Sequence, residues 1–281
     1  LAIWISTGAQ DTEHPVIGQE LYRYKVVNGS GRMEQLGMAW LKHGFCAADA
    51  CSCTSLGPPG STCAPNGSCD WLGLFATDTY SDGLNASQSN LGPRSEIQAW
   101  TGDFPYPYLN NGCGSSTVVC KRLQVNRNDL DPAQNTGATY WGESVYITTD
   151  EALNSVRHNN YSYRQVTVGS LVGTVPNQQY NLSFTASTVT LQPAINRWAV
   201  SEAGVTLVNV DVPGDGRFVL AYKVTNLGAG QYHYEYALLN MNSDRSGQSV
   251  LVPLPTGATC TNIGFHDVDY HSGEPYSNTD W

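Results

Sequence analysis

Charged side chains are scarce in this sequence. Asp, Glu, Lys and Arg make up 14% of the 281 residues, whereas soluble domains usually have roughly 25%. Acidic residues outnumber basic ones by 24 to 14, which gives a formal net charge of −10. No run of Lys and Arg occurs, and both nucleic acids and anionic membranes are bound through such runs. Neither is therefore an expected partner.

Two further absences narrow the function. No apolar stretch approaches the roughly 20 residues of a membrane-spanning helix, so no membrane span is predicted. The patterns G-x-S-x-G, H-E-x-x-H, G-x-G-x-x-G and the P-loop do not occur. No catalytic residue is assigned, and the sequence favours a protein that is not an enzyme and needs no catalytic cofactor.

Short β-prone stretches separated by Gly and Pro turns fill most of the chain. Residues 17–41 predict a hairpin around Asn28 and Gly31, and short helices are expected at 150–157, with Asp150 as N-cap, and at 193–199. The other predicted strands are 119–127, 139–149, 161–168, 180–192, 205–212, 217–226, 231–242, 247–254 and 259–270. This pattern is typical of an all-β protein, here an Ig-like or jelly-roll-like β-sandwich with long disulfide-stapled loops and an extending N-terminal strand.

Three segments are predicted along the chain. Residues 1–12 form an N-terminal strand and linker, and 13–200 form a β-rich domain with a Cys-rich loop at 46–70. Residues 201–281 form the Ig-like part, which can pack with the preceding region as one unit. Its five predicted strands fall short of the usual seven or so, so either earlier strands or something outside the chain completes the sheet.

The first five residues, Leu1, Ala2, Ile3, Trp4 and Ile5, are apolar and β-prone, with alternate residues on opposite faces. One interpretation is an ordinary first strand. The other is a donor strand that leaves its own fold to complete the sheet of a neighbouring copy.

Cysteine usage favours an oxidising compartment, and hence a secreted, extracellular protein exposed at the cell surface. The eight residues are Cys46, Cys51, Cys53, Cys63, Cys69, Cys113, Cys120 and Cys260. Their spacings do not fit zinc knuckles, whereas an even number permits complete disulfide pairing in any of 105 ways. We expect Cys113 and Cys120 to close their own loop, and Cys260 to pair with one of the five clustered cysteines.

Two acidic clusters are candidate metal sites. Asp267, Asp269 and His271 would share one face of a strand and could bind a divalent ion, although a solvated strand end explains them equally well. A turn with Asp129 and Asp131 has the oxygen ligands that structural calcium prefers, but its sequence is also an ordinary turn initiator.

Other carboxylates raise a catalytic alternative. Glu96, Asp103, Glu143 and Glu235 could supply a glycosidase pair, which needs two carboxylates roughly 5–10 Å apart. Arg94 and Glu96 are expected instead to form a structural salt bridge.

Glycans are candidate partners in two ways. Tyr232, Tyr234 and Tyr236 fall on one face of a predicted strand, where they would either pack across strands or stack on sugar rings. If the source glycosylates its proteins, five N-x-S triplets would be acceptors, at Asn28, Asn66, Asn85, Asn160 and Asn181.

Four segments carry a resemblance to a known group of proteins: Leu91–Glu96, Asn128–Ala133, Val212–Phe218 and Phe265–Pro275. They resemble segments of large, secreted, β-rich bacterial proteins from environmental and planctomycete-like genomes, a group without an assigned activity. The resemblance implies secretion and a β-rich fold and transfers no catalytic residue. In outline the chain is also similar to strand-exchanging subunits of bacterial extracellular fibres.

Together these features favour a structural subunit of an extracellular filament, which polymerises with other copies of itself by donating Leu1–Ile5. A glycan-binding or adhesion module is the main alternative. A secreted hydrolase that uses a metal held by His266, Asp269 and His271 is a third.

Overall fold

The computed structural model describes residues 2–3, 14–44, 47, 50–51, 60–65, 67, 71–78, 91–107, 122–175 and 177–268. The protein is mostly β with antiparallel sheets, which confirms the all-β prediction. The strands are β1 (Ala2–Ile3), β2 (Val16–Val27), β3 (Ser30–Met38), β4 (Leu41–His43), β5 (Trp71–Leu72), β6 (Leu91–Gly92), β7 (Gln124–Val125), β8 (Thr139–Ile147), β9 (Tyr161–Val172), β10 (Gln179–Phe184), β11 (Val189–Thr190), β12 (Thr206–Val212), β13 (Gly216–Gly228) and β14 (Gln231–Asn240).

Helices are few and short. The α-helices are α1 (Arg127–Leu130), α2 (Thr149–Leu153) and α3 (Arg197–Ser201), and 3-10 helices occur at Arg94–Glu96 and Ala194–Asn196. The predicted helix near 150 is confirmed, but Asp150 as its N-cap is wrong. The helix begins one residue earlier because the Thr148 hydroxyl accepts a hydrogen bond from the Glu151 amide at 3.2 Å.

The larger sheet is built around the predicted hairpin. β2 and β3 are joined by a turn in which Asn28 and Gly29 both have positive φ, the conformation that a two-residue hairpin turn requires. β2 lies at the centre of the strand order β10-β9-β8-β2-β3-β7, with β4, β6 and β11 attached along it. The sheet therefore depends on β2, which pairs with both β3 and β8.

The second sheet has the order β12-β13-β14 among the described residues. Its register is regular from Thr206 opposite Tyr222 to Val212 opposite Gly216. β13 and β14 stay in register over most of their length and shift only near the turn that joins them. This confirms the strands predicted at 205–212, 217–226 and 231–242.

The two sheets share one buried cluster. Tyr22 and Trp141 of the larger sheet contribute to it, as do Val219 and Ala221 of the second sheet. Trp198, which is 1% exposed, joins the same cluster from α3. Since the apolar side chains of both sheets are buried together, the inner face of the second sheet is fixed against the larger one.

Polar contacts reinforce this packing. The Glu202 carboxylate accepts hydrogen bonds from Lys223 Nζ at 2.6 Å, from Trp198 Nε1 at 2.9 Å and from the Gly31 amide at 3.3 Å. A Cβ at Gly31 would lie 1.9 Å from Glu202 Oε2, so the hydrogen bonds to Glu202 need a glycine at position 31. Arg32 and Glu235 form a second ion pair between the sheets at 2.9 Å.

Two predicted strands, 247–254 and 259–270, are wrong within the described residues, which end at 268. The chain there has no strand assignment, and residues 248–265 are exposed. Pro253 and Pro255 lack the amide hydrogens of a ladder, and Gly257 has a positive φ of 85° in the turn that follows.

Cys51 and Cys63 form a disulfide that closes part of the Cys-rich loop. The expected pairing of Cys260 is wrong, because its thiol is free and it lies in the exposed 248–265 stretch. Cys46, Cys53, Cys69, Cys113 and Cys120 lie outside the described residues.

Near the N-terminus, β1 pairs antiparallel with β5 of the same chain, Ala2 opposite Leu72 and Ile3 opposite Trp71. Leu1, Trp4 and Ile5 lie outside the described residues. None of the described helices is long and apolar enough to cross a membrane.

Trp198→Ala should lower the free energy of unfolding by about 3–5 kcal/mol, because it removes a large buried ring from the cluster between the sheets. Val200→Ala is the matched control, since Val200 lies on the same helix and is exposed; its effect should stay within about 0.5 kcal/mol. Chemical denaturation of both variants measures the difference, and equal losses would contradict this account of the core.

Candidate functional site

The side of the second sheet that faces away from the larger one carries an unusual set of residues, which we call the outer face. The registers of β12, β13 and β14 place these residues on one side of the sheet. The outer face consists of Thr206, Val208, Val210, Phe218, Leu220, Tyr222, Val224, Asn226, Tyr232, Tyr234, Tyr236, Leu238 and Asn240.

Three tyrosines of β14 dominate one side of the outer face. Tyr232, Tyr234 and Tyr236 are 52%, 48% and 41% exposed. The rings of Tyr234 and Tyr236 are nearly parallel, with an interplanar angle of 8° and centroids 6.3 Å apart. Tyr222, directly across on β13, lies 6.3 Å from Tyr236 with its ring tilted by 35°. The rings of Tyr222, Tyr234 and Tyr236 therefore form a continuous aromatic surface, and the exposed Tyr232 lies further along the same face of β14.

The alternation of β14 explains why these rings are exposed. Ala237 and Leu239, on the opposite side of β14, pack against the buried cluster, and a strand presents successive side chains on opposite faces. Cross-strand packing of the tyrosines, one of the two sequence-based alternatives, still occurs between Tyr222 and Tyr236. It does not bury the rings, which remain available to a partner.

The outer face has no charged residue among its thirteen members. The neighbouring charges are on the opposite side of the sheet, where Lys223 pairs with Glu202 and Glu235 pairs with Arg32. Partial burial raises the pKa of Tyr236, and the adjacent Tyr234 and Tyr222 raise it further. The surface offers flat rings, aliphatic side chains and amides, with no charged side chain beside them.

A second unusual arrangement lies inside the larger sheet. Glu20 of β2 and Glu143 of β8 are directly opposite each other across the two strands, and each is only 4% exposed. Glu143 accepts a hydrogen bond from the Tyr22 hydroxyl at 3.1 Å and another from the Ala194 amide. Arg94 forms an ion pair with Glu20 at 2.5 Å.

Burial raises the pKa of Glu143 to about 8, and the adjacent charge of Glu20 raises it further. One guanidinium cannot neutralise two buried carboxylates, so the pair retains a proton at neutral pH. At 4% exposure each, Glu20 and Glu143 are almost inaccessible from the surface.

This arrangement corrects one expectation, because Arg94 pairs with Glu20 rather than with Glu96. Of the four glycosidase candidates, Glu143 lies opposite Glu20, and Glu235 is held by Arg32 and His233 at the sheet interface. The glycosidase pair stays a prediction.

The acidic turn proposed for calcium is held by protein groups instead. Asp129 pairs with Arg23 at 2.9 Å. Asp131 accepts hydrogen bonds from the Ala133 amide at 2.9 Å and from Gln134 Nε2 at 3.1 Å.

In the second metal candidate, Asp267 is half-buried, whereas Asp269 and His271 lie outside the described residues. No group of three or more His, Cys, Asp or Glu that could hold a metal occurs in the described part of the chain. Structural calcium, and the hydrolase that would use His266, Asp269 and His271, stay predictions.

The glycosylation triplets fall in different surroundings. Asn28 is exposed at the tip of the β2–β3 turn and Asn181 is exposed on β10, whereas Asn160 is half-buried. Asn66 and Asn85 lie outside the described residues.

Comparison with models of protein families, with curated proteins and with solved structures finds no match to this chain.

Glu143→Gln should change how stability depends on pH. An acid whose pKa is raised in the folded state stabilises that state at low pH, and this stabilisation is lost between its unfolded value of 4.5 and about 8. His43, with its pKa lowered to about 3, acts in the opposite direction below pH 6.5. The effect is therefore best measured between pH 6.5 and 8. There the contribution of Glu143 to the free energy of unfolding of the wild type should fall by up to about 1.4 kcal/mol per pH unit, and this fall should be absent from the variant.

Glu151→Gln is the control for this measurement, because burial also raises the pKa of Glu151 to about 8 and no contact links it to Glu143. The two variants should have additive effects on unfolding free energies measured by urea denaturation. If the free energies of unfolding of Glu143→Gln and the wild type change with pH in parallel, the raised pKa of Glu143 is disproved.

Proposed function

We propose that this chain is a secreted adhesion module that binds neutral polysaccharides through the outer face. The observation that carries the proposal is the row of exposed rings formed by Tyr232, Tyr234 and Tyr236, with Tyr222 beside them. Tyrosine provides a large, rigid contact surface at a low cost in conformational entropy. Such rings on a solvent-exposed sheet suit a partner that is itself flat and rich in C–H groups.

The absence of charge on the outer face selects among such partners. A face of neutral phenols, aliphatic side chains and amides gives a polyanion no favourable ion pair, and the net charge of −10 repels it. Nucleic acid bases also stack on aromatic rings, but their binding needs a basic groove for the phosphates. A neutral pyranose chain has the apolar ring faces and the hydroxyl groups that this surface complements.

Extracellular location is part of the proposal and is supported by the Cys51–Cys63 disulfide, since such bonds persist in oxidising compartments. We also propose that the two sheets form an Ig-like or jelly-roll-like sandwich, which the shared cluster around Trp198 favours. Filament formation by donation of Leu1–Ile5 stays a prediction. The pairing of β1 with β5 in the same chain gives it no support.

The proposal predicts that soluble neutral polysaccharides, such as xylan or mixed-linkage β-glucan, bind the purified chain. Tyr234→Ala and Tyr236→Ala should each weaken binding by about 10-fold, since loss of a stacked ring removes roughly 1.4 kcal/mol of contact energy. Isothermal titration calorimetry measures the affinity, with carboxymethylcellulose as the charged ligand that should bind less.

Phe184→Ala is the matched control, because Phe184 is an exposed aromatic residue on β10 of the other sheet and should not affect the affinity. Melting temperatures of all variants exclude misfolding as the cause of lost binding. Failure of every neutral polysaccharide to bind, or binding that neither tyrosine variant weakens, would refute the function.

A further inference from the structure

β12 is the outermost strand of the second sheet, and its free edge has no partner among the described residues. The strand pairs with β13 in unbroken register, without a bulge, and contains neither Pro nor Lys. Proteins usually protect such edges with charges, bulges or a covering segment, because the unpaired amides and carbonyls are a template for another strand. Asp211 is the one charged residue in β12, which leaves this edge open to strand addition.

The same chain also carries an apolar segment that forms no strand with the described residues. Residues 248–256, with the sequence QSVLVPLPT, are all exposed, have no helix or strand assignment and contain no charge. Leu251 is 90% exposed, and Val250 and Leu254 are more than half exposed. Large apolar residues concentrated in this way on a surface mark an association site.

The two prolines define how this segment can pair. In a β-strand the N–H and C=O of one residue point to the same side, and successive residues point to opposite sides. Pro253 and Pro255 are both at odd-numbered positions, so both missing N–H groups would lie on one side. On the other side, the backbone N–H groups of Val250, Val252 and Leu254 are all available to donate hydrogen bonds. The segment can therefore add to a sheet by one edge only, and the prolines would block a further strand at the other.

We propose that residues 248–256 of one copy add as a strand to the β12 edge of a second copy. Neither surface pairs with any residue that the structure describes in the same chain, and their exchange between copies satisfies both. The donor segment would be about as long as β12, which has seven residues. Backbone hydrogen bonds would supply affinity, and burial of Val250, Val252 and Leu254 would add to it. This interface uses the backbone edge of β12 and not the tyrosine rings of β13 and β14, so it does not depend on the proposed glycan binding.

The proline register gives a direct test with a matched control. Val252→Pro removes a donor on the pairing side, whereas Leu251→Pro places the same residue on the side that already carries prolines. Light scattering after size-exclusion chromatography, on the full chain between about 1 and 100 µM, should give a dimer or larger species for the wild type and for Leu251→Pro. Val252→Pro should raise the concentration needed for association at least 10-fold.

A peptide of residues 248–256 gives a second measurement that needs no variant of the protein. In excess it should convert the wild-type assembly into single chains, and the peptide with Val252→Pro should not. A wild type that is monomeric throughout, including one whose segment pairs with its own β12, would overturn the proposal. Equal behaviour of Val252→Pro and Leu251→Pro would overturn it as well. Neither of these two results bears on the affinity for glycans, which is measured separately with the tyrosine variants.

Discussion

The burial of Trp198 between the two sheets is the contact on which the other features depend. Its ring lies in the cluster that both sheets share, and its indole nitrogen donates to Glu202, which also binds Lys223 of β13. Because these contacts fix the inner face of the second sheet, the opposite side of that sheet has to face solvent. The exposure of the tyrosines therefore follows from how the core is closed, and not only from the composition of β14.

Local patterns in the sequence predicted the parts of the fold that local chemistry determines. Asn28 and Gly29 adopt the positive φ values that a hairpin turn needs, and the alternation in β12, β13 and β14 marked all three strands. The same reasoning failed at 247–254, where β-prone valines and leucines are present but nothing in the described chain pairs with them. β propensity describes suitability for a sheet, and pairing needs a partner that sequence alone does not reveal.

In the candidate sites, too, local sequence predicted which residues share a strand face but did not predict contacts between distant residues. The three tyrosines of β14 could be found by counting alternate residues, but whether they were buried depended on what covered that face of the sheet. Glu20 was missed because its partner Glu143 is more than a hundred positions away and meets it only through the register of β2 and β8. Arg94 was assigned to the nearby Glu96, whereas the fold brings it to Glu20. The available signal was Glu143, which is the one charged residue in β8.

The spacing of side chains along β14 sets a length for whatever contacts its tyrosines. Alternate residues of a strand are about 6.8 Å apart, so Tyr232 and Tyr236 mark the two ends of a line about 14 Å long. A single sugar is too small to reach all three rings, whereas an unbranched oligomer laid along the strand can touch each in turn. Affinity should therefore rise with the degree of polymerisation until the ligand spans the row, and then level off, so that the surface distinguishes polymers from their breakdown products.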